Sequence, residues 1–410
     1  MKVWLKLLIG SILGLVLGFL VPNENVTVSS VIDFLQKFAI GAGRYTAVPL
    51  LVFSLTVGIY ELRQDGRFWS MVGRTLLLIV VTSALVISLG IVFALVFQPD
   101  HIPILEEQQA QDLIFNPAQN ILDIFPPNML SVFTNSGIYL FPVCILAFFL
   151  AIGLGYDKNY TKPVLSMIDS LSRIFFHIVT LFSEVLGLFI IVLAAYWAIQ
   201  YRAVQDIEIF KSIMQLLLVF SLILALIVLP MLLFLVRKKQ KPWKVLYGYL
   251  GAAISAFFSG DINFSLPVLM MHTKANMGIR RRSGSVTAAL WTTFGRAGSA
   301  MVAAISFIVI IKSYNTLAIE AGSIIKIGLH AMLLSFLLAR NPADGAFIAL
   351  AVLCSGYGHG YETGFLILKP IAFYLIAIGT FIDMILAALG SFAVAQISGF
   401  QEDFNSKHFV

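Results

Sequence analysis

Two stretches decide the reading of this chain: VLYGYLGAAISAFFSGDINFSLPVLMM (residues 245–271) and SIIKIGLHAMLLSFLLARNPADGAFIALAVL (residues 323–353). In the first, residues 245–258 are apolar but too short to cross a bilayer, Ser259, Gly260, Asp261, Ile262 and Asn263 interrupt, and residues 264–271 turn apolar again. The second repeats the pattern, with an apolar arm over 324–338, an interruption at Arg340, Asn341, Pro342, Ala343, Asp344 and Gly345, and a second arm over 346–353. Two short apolar arms around a polar tip predict a re-entrant helical hairpin. Irregular backbone at membrane depth is tolerated only where protein or a water-filled cavity surrounds it. Interrupted apolar segments at matching positions of two repeats point to a transporter's binding site. One full span, 286–311, separates the hairpins, and a last apolar segment covers 366–397. An odd number of crossings between the hairpins brings them in from opposite faces, which makes an inverted repeat.

The rest of the chain supplies the bilayer that these hairpins need. Of 410 residues 59% are hydrophobic and 12% charged, against roughly 25% charged in a soluble domain, and the mean hydropathy is +0.93. About fifty charges cannot cover so much apolar area in water. Further apolar spans fall at about 4–21, 38–60, 71–97, 136–155, 178–200 and 212–236. Met1 to Val21 reads as the first membrane helix rather than a cleaved leader, since Gly10, Gly14 and Gly18 make a close-packing stripe and no small-residue cleavage site follows. The connecting loops alternate. Lys2 and Lys6, Arg63, Arg67 and Arg74, Lys158 and Lys162, and the run Arg237 to Lys244 fall on one side; Glu106, Glu107, Asp112, Asp123, Asp206 and Glu208 fall on the other. The positive-inside rule then puts the N-terminus and the 237–244 cluster in the cytoplasm, and a multi-pass protein of the inner (plasma) membrane with both termini cytoplasmic is expected. The net charge of +6 is topology control at the ends of apolar runs, not a nucleic-acid surface. Cys144 and Cys354 lie in apolar segments without metal-ligand spacing and read as core residues. No G-x-S-x-G or H-E-x-x-H motif occurs, so an enzyme is not expected.

Several segments also carry a likeness in order along the chain: GRYTAVPLLVFSLTVGIYEL (43–62), VVTSALVISLGIVFALVFQP (80–99), NILDIFPPN (120–128), AFFSGDINFSLPVLM (256–270) and ARNPADGA (339–346). Together they resemble the second and third helices, the D-I-x-P-x-N turn, the serine-rich first hairpin and the glycine-rich second hairpin of the glutamate transporter homologues, the dicarboxylate/amino acid:cation symporters. The resemblance, from about residue 4 to 399, implies an all-α polytopic protein of eight transmembrane helices and two re-entrant hairpins, working as an elevator-type secondary transporter of a small polar or anionic solute. It implies a homotrimer in the lipid bilayer, with scaffold segments at 1–66 and 101–203 and transport segments at 67–100 and 204–410. No cofactor is expected beyond a coupling ion, sodium or proton.

Departures from the family pattern bear on chemistry. Where the family has N-M-D-G-T, this chain reads Gly295, Arg296, Ala297, Gly298, Ser299, so both sodium-liganding side chains are missing. In the last helix the family's amine-binding Asp, carboxylate-binding Arg, Asn and second Asp correspond to Ala387, Gly390, Val394 and Ser398. Sodium coupling is therefore in question. Thr82, Ser83 and Asp383 are the cation-coupling candidates, and Ser391 keeps a hydroxyl where the family has Thr. New charges stand nearby: Asp261, Arg296, Arg340 and Asp344. With Asn263, Ser299 and Ser391 these are the substrate-binding candidates.

Three readings of the four charges stay open. They close the hairpins by pairing with one another; or Arg296 replaces a bound cation while Arg340 holds an anionic group and Asp261 or Asp344 an amine; or some of them face water. His330 reads as a core histidine, and with Asp261 and Asp344 it is a group to test for proton coupling. A channel or a non-transporting receptor on the same scaffold is the alternative function.

Overall fold

The computed structural model describes residues 2–21, 26–97, 99–103, 119, 122–126, 128–134, 138–236, 241–314, 319–358, 360–402 and 409. The predicted loop residues Glu106, Glu107 and Asp112 and the cations Arg237 to Lys239 lie outside them. The helices are α1 (Val3–Leu20), α2 (Val26–Tyr45), α3 (Ala47–Gln64), α4 (Phe68–Val96), α5 (Phe141–Tyr156), α6 (Lys158–Ala203), α7 (Lys211–Ile223), α8 (Leu229–Val236), α9 (Pro242–Gly248), α10 (Leu250–Ser259), α11 (Ile262–Ala275), α12 (Arg281–Phe294), α13 (Ala297–Tyr314), α14 (Ala321–Leu337), α15 (Gly345–Tyr357) and α16 (Ala372–Ile397). Among the described residues no strand forms; an isolated bridge joins Ile279 to Gln401.

Eight of the described helical stretches are long and apolar enough to cross a membrane. They differ from the expected set at two places. The span expected over 136–155 is α5, which has only 16 residues, whereas the first arm of the second hairpin, Ala321–Arg340, is itself of spanning length. Three predicted spans are parts of longer helical runs: Ser30–Gln64, the 46-residue α6, and Ile207–Leu235, in which a π-turn at Leu224–Val228 joins α7 to α8. Hydropathy marks only the apolar middle of such helices, because Asp33, Lys37, Asp169 and Arg173 form exposed i,i+4 pairs on their flanks.

The glycine stripe of α1 packs as its spacing requires. A Cβ on Gly14 would stand 2.3 Å from Ile191 O and one on Gly18 would stand 2.5 Å from Ala195 O, so only glycine lets α1 lie backbone to backbone on α6. Arg202 then donates to the free carbonyls of Gly18, Phe19 and Val21 at the end of α1. At the centre of the molecule α13 is buried on every side from Ala297 to Ile311, wrapped by α4, α14, α15 and α16.

Both interrupted segments form helix–turn–helix hairpins. In the first, α10 ends at Gly260 in the left-handed region (φ 63°), and Asp261 caps α11 by accepting from the Asn263 N–H at 2.8 Å. In the second, α14 runs into a 3-10 turn, Leu338–Arg340, and Pro342 prevents its continuation before α15 starts. The tips touch: the Ile262 N–H donates to Pro342 O at 3.3 Å. His330, expected in the core, lies exposed on α14.

Candidate functional site

The break between α12 and α13 places Gly295 and Arg296 opposite the middle of α16. That approach depends on glycine. A Cβ on Gly298 would meet Gly379 O at 2.7 Å and Asp383 N at 2.8 Å. With the backbones this close, the Asp383 carboxylate reaches the first turn of α13. Its Oδ1 accepts from the N–H of Gly298 (2.6 Å) and Ser299 (3.1 Å), and its Oδ2 from Ser299 Oγ (2.6 Å) and Arg296 Nε (2.8 Å). A carboxylate at a helix N-terminus, with an arginine and a hydroxyl completing its shell, is fully satisfied without water.

Arg296 extends from this pair to the second hairpin. Its Nη1 donates to Asn341 O (3.4 Å) and its Nη2 to Pro342 O (3.3 Å) and Ser299 Oγ (3.3 Å). The side chains of Arg296 and Asp383 are both wholly buried. Room for the guanidinium comes from Gly345, where a Cβ would stand 2.5 Å from Nη2. Pro342 O thus accepts from both Ile262 of the first hairpin and Arg296 of α12–α13. One positive charge holds two carbonyls of the tip and one carboxylate.

The other predicted charges do not join this cluster. Asp261 is buried and pairs with Arg44 of α2, while the Asn263 amide donates to Ile138 O at 2.8 Å. Arg340 pairs with Asp123, both of them half-buried. Asp344 is exposed, within electrostatic range of Asp261, Arg44 and Arg296. Thus none of the four charges takes another of the four as its ion-pair partner: Arg296 pairs with Asp383, and the two hairpin tips reach out to α2 and to the segment around Asp123. Thr82 bonds back to Leu78 O at 2.7 Å and lines an apolar cleft. The hydroxyls of Ser83 and Ser391 are buried without a partner among the described residues. At Gly390 a Cβ would meet the Trp291 indole at 2.0 Å, so the ring fills the space beside this residue.

Arg44 and Asp123 were not singled out as site residues by sequence. Arg44 carried a signal, because a charge inside GAGRYTAVPLL demands a partner at membrane depth. Asp123 carried none, looking like any acidic loop residue.

The fold is one of apolar helices, eight described stretches of spanning length, around two hairpins whose tips meet at a buried ion pair. The match to the sodium:dicarboxylate symporter family covers residues 3–398, and the chain belongs to that family. It is 26% identical over 398 residues to the serine/threonine transporter SstT of Acinetobacter baylyi, covering 94% of this chain and 89% of that one. To SstT of Enterococcus faecalis it is 25% identical over 395 residues, covering 93% and 85%. A 134-residue stretch is 32% identical to human excitatory amino acid transporter 1, covering 33% of this chain and 24% of that one. These relatives are transporters and not enzymes, and the chain is a multi-pass membrane protein of their class.

Proposed function

We propose that the protein is a secondary transporter of a small amine-bearing solute, an amino acid of the serine/threonine or acidic type, and that Arg296 takes the place of a coupling cation. The observation that carries this is the Arg296 guanidinium, held by Asp383 and donating to both Asn341 O and Pro342 O of the second hairpin. Carbonyls of an unwound tip facing a carboxylate are the usual shell of a bound cation in a broken-helix transporter. Here a covalently attached charge fills that shell.

Asp344, exposed at the same tip, accepts the solute amine, and Arg340 exchanges Asp123 for the solute carboxylate as the hairpin closes. Asp261, Asn263, Ser299 and Ser391 complete the surroundings; Thr82, Ser83 and Asp383 hold no ion in this reading. The two re-entrant hairpins move with 67–100 and 204–410 as an elevator against a scaffold of 1–66 and 101–203, in a homotrimer with cytoplasmic termini. The ion pairs Arg44–Asp261 and Arg340–Asp123 cross between these parts and break on each passage.

The test is uptake of radiolabelled serine, threonine, aspartate and succinate into proteoliposomes, with sodium, choline or an imposed pH gradient. Saturable uptake of an amino acid that is equal in sodium and choline is expected. Uptake that requires sodium would overturn the cation-replacement reading, and no uptake of any solute would turn the protein into a receptor on a transporter scaffold.

A further inference from the structure

Two cavities succeed one another along α4 and α16, one polar and basic, the other apolar. The basic one, of about 440 Å³, is lined by Arg67, Ser70, Arg74, Ser398 and Phe400. One helical turn further in, a cleft of about 300 Å³ is lined by Leu78, Val81 and Leu85 of α4, Leu386, Leu389 and Ala393 of α16, and leucines of α8. Residues 70, 74, 78, 81 and 85 fall on a single face of α4 at helical spacing, and 386, 389, 393 and 397 on a single face of α16. The two cavities therefore follow one another along the same helix pair, with Arg74 and Leu78 about 6 Å apart along the axis.

Among the described residues the two arginines at the mouth have no acidic partner. Among the described residues Arg74 donates to Ser398 Oγ, at 3.3 Å, and Arg67 lies over the Phe400 ring at 5.7 Å. Neither forms an ion pair among the described residues. Of the described carboxylates adjoining the mouth in sequence, Asp65 pairs with Arg282 and Glu402 with Arg280. Trp69 is 71% exposed, and Leu77 and Val81 of α4 are 64% and 51% exposed. An exposed indole next to Ser70 in sequence, two guanidinium groups without an ion pair among the described residues and an apolar cleft further along match a bilayer's interface and hydrocarbon in order.

We propose that these two cavities together bind one anionic phospholipid, its phosphate between Arg67 and Arg74 with Ser70 and Ser398 as further donors, and an acyl chain in the cleft lined by Leu78, Val81, Leu386 and Leu389. Both arginines offer the fork geometry that suits a phosphate oxygen pair. The lipid joins the start of α4 to the end of α16, so it steadies the two helices as a unit.

The probe is native mass spectrometry of the whole detergent-solubilised protein with phosphatidylglycerol, with phosphatidylcholine of the same chains, and with glycerol phosphate alone. Phosphatidylglycerol retained about tenfold better than phosphatidylcholine, a difference of about 1.4 kcal/mol, is expected. The Arg67→Gln/Arg74→Gln variant should lose that preference, and Arg67→Lys/Arg74→Lys should keep most of it. Val81→Trp, which fills the apolar arm without touching charge, should weaken retention even if the glutamine pair does not fold. Equal retention of both lipids by the wild type, or unchanged preference in the folded glutamine variant, would overturn the proposal. Displacement of the lipid by glycerol phosphate at matched concentration would assign the pocket to a free phosphate and overturn it as well.

Discussion

The Arg296 Nε–H donates to Asp383 Oδ2 across 2.8 Å, with neither side chain exposed. Removing one member of such a pair strands a charge, which costs about 3–5 kcal/mol. Arg296→Ala and Asp383→Ala are each expected to lower the melting temperature of the purified protein sharply. Arg296→Met/Asp383→Asn, which leaves no charge behind, should recover most of that loss. A double variant as unstable as the sum of the singles would show that the two residues act separately.

Sodium is predicted to leave the wild type unmoved. A coupling ion at a hundredfold excess over its Kd would stabilise the protein by about 2.7 kcal/mol, readily seen in a thermal-shift measurement with choline as the control. Arg296→Met vacates the shell formed by Asp383 and the carbonyls of Asn341 and Pro342, and this variant should gain a sodium-dependent shift. A shift in the wild type, or none in the variant, counts against cation replacement.

Gly345 provides a third check, because its missing Cβ is the space occupied by Arg296 Nη2, 2.5 Å away. Gly345→Ala must displace the guanidinium or the hairpin tip, so uptake should fall by at least about tenfold, the equivalent of about 1.4 kcal/mol. In an Arg296→Met background the alanine has nothing to strike. Its additional effect there should be small; an equal loss in both backgrounds would locate the strain in the hairpin backbone instead.

How far the site could be read from sequence divides along physical lines. The two helix–turn–helix breaks were legible because Gly260 and Pro342 interrupt apolar runs, though the arm Ala321–Arg340 is longer than expected, and the stripe Gly10, Gly14, Gly18 announced a close helix contact that α6 supplies. The four new charges were legible as costly, which holds for Asp261 and Arg296, both buried, whereas Arg340 is half-buried and Asp344 exposed. Their partners were not, since pairing depends on which backbones approach: Gly298 against Gly379 lets Asp383 cap α13, a relationship without periodicity in sequence. For the same reason Asp261 and Arg340 find Arg44 and Asp123, each 217 positions away. The length of α6 escaped because its first turns are polar enough to read as loop.

Arg340 and Asp123 allow a prediction in which two substitutions at one ion pair have opposite signs. In the proposed cycle Asp123 and the solute carboxylate compete for the Arg340 guanidinium, so Arg340→Ala removes the solute's anchor while Asp123→Asn removes a competitor. The first is expected to lower solute affinity by about 1.5–3 kcal/mol, the range of a charge-assisted hydrogen bond. The second should raise affinity modestly, because an ion pair 40% and 33% exposed is worth at most about 1 kcal/mol. Asp344→Asn should weaken amino acids more than dicarboxylates, since only the former offer an amine. Isothermal titration with serine, aspartate and succinate measures all three. Loss of affinity in both Arg340→Ala and Asp123→Asn would make the pair a structural tie between the second hairpin and the segment that follows α4, and would return the solute's carboxylate to another donor.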